Sequence, residues 1–453
     1  MTSKELTIEG GSPAVTRSSP LRWPNIDDED KQAVMAVLDG PPSDLGGPHS
    51  RWNRKLEAAF AEFTGAQNCV SLSSATAALY ASLLVHGIGP GDEVIVPGLT
   101  WVATAMVVAQ LGATPVFCDI DPVTFNIDPE KARALVTPAT RAIIVVHAHG
   151  LPADMSQLSV LCHQRGLYLI EDAAQAAGAT YAGQAAGTFG ATGCFSLNYK
   201  KAFTAGDGGL LVTDDAALLE AVMSYANFGF EPAPAPAKGE TASHWSRWLG
   251  TNDRLSPMAA ALAHSQLRKL PRFIEVAAEN AAVLAKIGEF TGFQPPEIPE
   301  DRSSTHHLYR VVIDAEALGW QGPASELRDR IIWALHAEGV TAGYWGRAPL
   351  NRMTAFRRTT PRFRTVAPDD HRPALAWEPE ALPVTEQVLD TSLVLGRAPE
   401  TLHIADRERV TQWVHAFAKI ADRIDVVMSA PHFRPLRPQP PVPELEDRLV
   451  VSP

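Results

Sequence analysis

The chain has 453 residues, 45% of them hydrophobic, which is enough to bury a sizeable core and, by length, to form two or three domains. Lys plus Arg total 39 against 51 for Asp plus Glu, a net charge of -12, so the basic footprint of a nucleic-acid binder is missing. Four scattered cysteines without a CxxC pair (Cys69, Cys118, Cys162, Cys194), a start (MTSKELTIEGG) lacking signal-peptide features, and no apolar run of the ~18 to 20 residues a spanning helix needs predict a reduced, cytoplasmic, non-membrane protein.

From Asn68 to Asp215 short β-branched runs alternate with helix-compatible stretches, the pattern of an α/β domain around a mostly parallel sheet. Strands are predicted at Cys69–Leu72, Glu93–Pro97, Thr114–Ile120, Arg141–His147, Leu167–Glu171, Gly193–Leu197 and Gly209–Thr213, with helices at Ala75–His86, Ala103–Leu111 and from Asp128-Pro129 onward. Glu231–Lys238 reads EPAPAPAK and predicts an extended surface segment. A helix is predicted to open at Ser256-Pro257 and to end or kink at Pro271. A strand at His306–Asp314 and amphipathic helices at Ser325–Glu338 and Asp406–Val427 predict a smaller α+β domain. The expected division is 1–250 for the N-terminal segment and large domain, 251–429 for the smaller domain, and 430–453 for a tail whose Pro431–Pro443 stretch holds six prolines in 13 residues.

Four stretches carry chemistry. SLSSATAAL runs from a strand through Ser73, Ser74, Ala75 and Thr76 into a helix, and small residues there leave backbone N–H groups open to an anion at the positive end of the helix dipole. In PGLTWVATA, Trp101 follows a strand end and is a candidate to stack on a flat ring. YLIEDAAQAAG places Asp172 at a strand's C-terminal end, where open α/β sheets bind ligands, with Gln175 three residues on. SLNYKKAFTAGDGG places Lys200 and Lys201 between strands, and a desolvated lysine amine can form a Schiff base with an aldehyde. Each alone has a plain structural explanation: a capped helix, a core tryptophan, a capping aspartate, a solvated lysine pair. Together they describe one ligand, pyridoxal 5′-phosphate (PLP).

In their order and wording these stretches, with GGSPAV, LRWP, GATPVFCDIDP, VVHAHG, GTNDRLS, HHLYRV and LPVTEQ, resemble the DegT/DnrJ/EryC1/StrS family of PLP-dependent sugar and cyclitol aminotransferases. The resemblance implies a fold-type I transferase: a large α/β domain with a mostly parallel sheet plus a smaller α+β C-terminal domain. It implies Lys201 as the Schiff-base lysine, five residues before Gly206 of the glycine turn, and Ser196, five before the lysine, on the phosphate. It further implies that Ser74, Ala75 and Thr76 complete the phosphate cup, that Trp101 lies over the ring, that Asp172 partners the pyridine nitrogen and that Gln175 lies near the phenolic oxygen. Asn252 resembles the asparagine that a neighbouring subunit contributes near the phosphate, which implies a homodimer as the active unit. Lys200, Asp207 and Ala75 depart from the family's usual residues at their positions.

The resemblance further implies L-glutamine or L-glutamate as amino donor and a keto-cyclitol or keto-sugar as acceptor, in aminoglycoside-like antibiotic biosynthesis. A 3-amino-5-hydroxybenzoate synthase-like activity, a nucleotide-keto-sugar aminotransferase and an inactive scaffold are the rival readings. Two motifs are set aside: His147 and His149 form an HxH pair that on a strand would share a face but has no third ligand at metal spacing, and GTFGATG, Gly187 to Gly193, does not sit between a first strand and its helix as a dinucleotide fingerprint must.

Overall fold

In the computed structural model the described residues are 5–16, 21–47, 50–230, 246, 248–346, 348–356 and 382–433. The EPAPAPAK segment lies outside them, as does the proline-rich tail beyond residue 433.

A seven-stranded sheet forms the centre. Its strands are β1 (Asn68–Leu72), β2 (Glu93–Pro97), β3 (Thr114–Cys118), β4 (Thr140–Val146), β5 (Tyr168–Asp172), β8 (Thr192–Ser196) and β9 (Gly209–Thr213), in the spatial order β1-β9-β8-β5-β4-β2-β3. Between β5 and β8 lies a small hairpin of β6 (Thr180–Tyr181) and β7 (Gln184–Ala185). The pairings from β3 through β2, β4 and β5 to β8 are parallel, and β9 runs antiparallel to both of its neighbours. Parallel strands are covered on both faces, so they need apolar residues at every position. Here Val94, Val96, Ala142 and Ile144 enter the core on one face, while Ile95, Ile143 and Val145 enter the core on the other.

The helices of this layer begin where the sequence offers a cap. Ser74 caps Ala75–Val85 through a hydrogen bond from Ala77 N, and Asp128 caps Pro129–Ala134 through Glu130 N and Lys131 N. The helix Ala103–Gln110 follows β2.

Ser256 caps the helix Pro257–Leu267 as expected, and the helix's Ala260, Ala261 and Ala263 share a core with Leu56 and Phe60 of the helix Arg51–Thr64 and with Phe195 and Leu210 of the sheet. Pro271 departs from expectation: instead of ending that helix it sits in the first turn of the next, Leu270–Leu284, where a missing N–H costs no intrahelical bond. That second helix sends Ala277, Ala281 and Leu284 into the core of the C-terminal unit. The unit is an antiparallel sheet of β10 (Phe293–Gln294), β11 (Tyr309–Ile313) and β12 (Ser392–Leu395), covered by the helices Ala324–Ala337 and Arg407–Asp422 with Trp413 and Phe417 fully buried. The single helix expected over 406–427 is interrupted at Arg423 and resumes as Ile424–Ser429. The N-terminal segment belongs to this core too: Leu6, Ala14 and Val15 pack in it. The buried Glu338 carboxylate accepts from Thr7 N and Ala14 N, both at 2.8 Å, and from Lys419 Nζ at 2.6 Å.

A carboxylate also joins the two units. Asp119, just past β3, accepts at Oδ1 from Thr385 N (2.8 Å) and Thr385 Oγ1 (2.7 Å), and at Oδ2 from Val384 N (3.0 Å) and Lys131 Nζ (3.2 Å). It therefore serves as a remote cap for the helix Pro383–Thr391. Asp119→Ala leaves those amides and the Lys131 ammonium without their acceptor, and the expected loss is about 2–3 kcal/mol in chemical denaturation. A loss below the error of the measurement contradicts this role.

Candidate active site

Strand ends build the site. Leu72 of β1, Gly209 of β9 and Ser196 of β8 are register partners, and Asp172, the last residue of β5, pairs with Cys194 of β8. The ends of β1, β5 and β8 and the start of β9 therefore share one edge, which is where an open α/β sheet presents its ligand crevice.

At this edge the helix Ala75–Val85 begins. The Ser74 hydroxyl accepts from Ala77 N at 3.0 Å, and helix geometry leaves the Ala75 and Thr76 amides without intrahelical acceptors at the positive end of the dipole. Gly209 closes the back of this cup: a Cβ on it would lie 2.3 Å from the Ser74 carbonyl carbon and 2.4 Å from Ala75 N. Only a residue without a side chain lets the strand pass so close to the helix N-terminus. Ser196, half-buried beside Gly209, accepts from Asn198 N at 3.3 Å. On the rim, Ser73 N donates to Asp253 O (2.7 Å) and the Ser73 hydroxyl bonds Asp253 Oδ1 (3.0 Å). This holds the exposed Asn252 next to the cup.

The turn that carries Lys201 is tightly tied. Lys201 N donates to Asn198 O (2.8 Å), Tyr199 N to Gly206 O (2.7 Å) and Leu197 N to Gly208 O (2.9 Å), with Gly206 and Gly208 at φ +89° and +149°. Asp207 accepts from Asn198 Nδ2 at 2.7 Å, so the shorter acidic side chain at this position still locks the turn. Burial lowers the Lys201 pKa to about 8; the attraction of Asp172 works against that shift and the repulsion of Lys200 adds to it.

Asp172 is buried. Its Oδ2 accepts from Thr104 Oγ1 at 2.8 Å and its Oδ1 from Ala174 N at 3.2 Å. Burial raises its pKa, and Thr104, Ala174 and the Lys201 charge pull it back. Gln175 is buried as well, its Oε1 accepting from His149 N at 2.8 Å and its backbone carbonyl from Thr305 Oγ1 at 2.7 Å. Trp101 is 66% exposed and so is not a core residue; Thr104 N reaches back to its carbonyl at 3.2 Å.

Thr104 was invisible as a site residue in sequence, although it stands three positions after Trp101 in the PGLTWVATA stretch. Only the fold brings it to Asp172, 68 positions away.

The two motifs set aside find structural employment. The strand β4 ends at Val146, not at His147, and His149 lies in a tight turn with φ +57°, so the two rings do not share a strand face. His147 Nδ1 accepts from Ala153 N (3.1 Å), which leaves the ring proton on Nε2 to be donated to Glu171 Oε2 (2.9 Å). His149 Nε2 instead meets Arg310. The glycine-rich loop wraps an anion, but the anion is the protein's own: Gly187 N, Phe189 N and Gly190 N donate to the Glu171 carboxylate at 2.7, 2.6 and 2.6 Å.

A cup of main-chain amides closed by a glycine, a buried carboxylate and a desolvated lysine on one sheet edge are the donor set that PLP requires for its phosphate, its ring nitrogen and its aldehyde. The protein is a PLP-dependent aminotransferase of fold type I. The chain belongs to the DegT/DnrJ/EryC1/StrS aminotransferase family, whose model matches residues 24–387. It is 36% identical over 406 residues to the L-glutamine:2-deoxy-scyllo-inosose aminotransferase of Streptomyces lividus, covering 87% of this chain and 93% of that protein. Among solved structures, an aminotransferase from Psychrobacter cryohalolentis superposes with a TM-score of 0.78 at 29% identity over 90% of this chain and 100% of that one. A 3-amino-5-hydroxybenzoic acid synthase superposes at 0.75 with 27% identity over 91% and 100%.

A lysine amine attacks an aldehyde only when neutral. With its pKa at about 8, the rate at which the apoprotein takes up PLP is expected to rise with pH and to level off above about 8. Lys200→Gln removes a like charge, so the midpoint is expected to move upward. Stopped-flow absorbance across pH checks both, and a midpoint that moves downward refutes the role given to Lys200.

Proposed function

We propose that this aminotransferase moves an amino group from L-glutamine or L-glutamate to a ketone on a carbocycle, with a keto-cyclitol of the 2-deoxy-scyllo-inosose type as the acceptor that its relatives support best. The observation that carries the chemistry is the Lys201–Asp172 pair, a buried amine with a lowered pKa within electrostatic reach of a buried carboxylate on the sheet edge that carries the amide cup. PLP, when bound, supplies an aldehyde that carries the amino group and a ring that withdraws electrons.

In this reading the Ala75 and Thr76 amides, with the Ser74 and Ser196 hydroxyls, bind the phosphate. Asp172 holds a proton on the ring nitrogen, and Thr104 fixes its carboxylate toward that task. Gln175 orients the ring through its amide, and Trp101 covers one face and excludes water. With its pKa lowered to about 8, Lys201 supplies a larger neutral fraction near physiological pH than an ordinary lysine, and with PLP bound its Nζ would be the base that moves a proton between the donor's α-carbon and the cofactor's C4′ carbon. Release of the 2-oxo acid before the ketone enters gives ping-pong kinetics.

The unit proposed is a homodimer in the cytoplasm. Asn252 is exposed at the cup's rim, and exposed apolar residues flank it: Trp248 and a 97% exposed Leu249 just before it in sequence, and Phe228, whose N–H donates to Thr251 O at 2.9 Å. A second copy covering them would bring Asn252 to its neighbour's phosphate. The four cysteines are buried and unpaired, as in a reducing compartment, and no helix among the described residues is long and apolar enough to cross a membrane.

The test is spectroscopic and then chemical. PLP should give the protein a visible band that Lys201→Ala abolishes and L-glutamine bleaches. The bleached protein should then aminate 2-deoxy-scyllo-inosose in preference to a nucleotide-linked keto-hexose or an aminocyclohexenone-type precursor, as read by mass spectrometry. A folded protein that shows no band with PLP supports an inactive scaffold, and a preference for either rival acceptor displaces the cyclitol.

A further inference from the structure

Arg310 has no task in that reading. It lies in β11 of the C-terminal sheet, 1% exposed, and burial pulls its pKa down to about 9. Buried guanidinium groups are normally matched with carboxylates. The partners of this one are neutral: Nε and Nη2 donate to His149 Nε2 at 3.0 and 2.9 Å, Nη1 donates to Ser392 Oγ at 2.5 Å, and the Phe125 ring lies 5.2 Å from the guanidinium carbon. Because Arg310 only donates, His149 Nε2 must accept and the ring is held neutral with its proton on Nδ1.

The backbone around this contact is unusual in the same place. Five described non-glycine residues have positive φ, and three of them, Phe125 (63°), His149 (57°) and His306 (48°), line one small cavity with Arg310. Side chains disfavour that conformation, so it persists where surrounding contacts hold it. At His149 the holding contact is the double hydrogen bond from Arg310. The amide of the same strained residue is the donor that fixes Gln175 Oε1, and the Gln175 side chain also lies beside the His149 ring. The segment leading into β11 is stitched to the same spot: Thr305 N donates to Gly150 O (3.0 Å) and Thr305 Oγ1 to Gln175 O (2.7 Å). A Cβ on Gly150 would come within 2.0 Å of that hydroxyl.

We propose that Arg310 is a positioning residue for Gln175: from the C-terminal sheet it grips His149 in its left-handed turn, and the His149 N–H in turn holds the Gln175 oxygen so that the amide NH2 is the end presented to the bound cofactor. The inference rests on the PLP reading of the site. It makes the docking of the C-terminal unit a determinant of how the cofactor's ring is held, through residues that need not touch that ring themselves.

The test is a pH titration of the visible band of the lysine-bound cofactor in the holoenzyme, for wild type, Q175A, R310M and the double variant R310M/Q175A. R310M is expected to move the titration midpoint in the same direction as Q175A. The double variant is expected to match Q175A within about twofold in proton affinity, because two residues acting through one amide do not add. R310K keeps a donor for His149 Nε2 and is expected to restore part of the shift. If R310M fails to fold, R310M/H149F removes the buried charge together with its acceptor and is read in the same way.

A folded R310M with a lowered melting temperature but the wild-type midpoint overturns the inference, as do shifts that add to those of Q175A. A band that Q175A shifts and R310M leaves unchanged overturns this inference alone. A wild-type protein without a band on PLP addition overturns the reading beneath it.

Discussion

The site depends on one electrostatic contest. Burial disfavours charge on Lys201 and on Asp172 alike, and so pushes the amine's pKa down and the carboxyl's up, while their mutual attraction opposes both shifts. Neither group alone would hold the state the chemistry needs. A more exposed lysine would stay protonated and inert, and a buried aspartate without donors would lose its charge. The hydrogen bonds from Thr104 and Ala174 offset part of the burial effect on the carboxylate, whose pKa stays raised on balance. The amine's pKa is set by desolvation, which lowers it, against the attraction of Asp172, with the charge of Lys200 adding to the lowering.

The remaining architecture brings these parts to one edge. Parallel strands place their C-terminal ends together, so residues from β1, β5 and β8 meet although they are far apart in sequence. The reversed strand β9 contributes its beginning to the same edge, which is why a glycine at its first position, and not at its last, closes the phosphate cup. Asp119 then fastens the helix Pro383–Thr391 against the large unit, and the Thr305 contacts carry the chain from the site into the C-terminal sheet.

Much of this was legible in the chain. The seven strands of the main sheet were placed to within two residues at each end, because fully buried strands leave β-branched runs that end at recognisable caps and glycines. The resemblance to the family's motif singles out Lys201 over Lys200 by its distance from the glycine turn, and the turn itself is tied by main-chain hydrogen bonds. What escaped depends on long-range pairing. Thr104 meets Asp172 across 68 positions, Arg310 meets His149 across 161, and Asp119 meets Thr385 across 266, and no local pattern marks any of them. His149 was misplaced for a local reason: a left-handed residue ends the strand's alternation, and a histidine gives less notice of that than a glycine would.

The Glu171 loop bears on how this surface can vary over evolutionary time. Glu171 and Asp172 are consecutive in one strand and therefore leave the sheet on opposite sides, yet the two carboxylates are neutralised by different kinds of partner. Asp172 relies in part on a threonine hydroxyl, which a single codon change can remove. Glu171 relies on three peptide N–H groups as well as His147, and every amino acid except proline carries such a group. Drift can thus rewrite the side chains at Thr188 and Phe189 while the charge beneath them stays matched, provided the loop keeps its path. Selection there acts on the shape of the backbone, and the glycines record it: a Cβ at Gly190 would fall 2.4 Å from the Leu169 carbonyl oxygen, and one at Gly193 2.0 Å from that of Gly187.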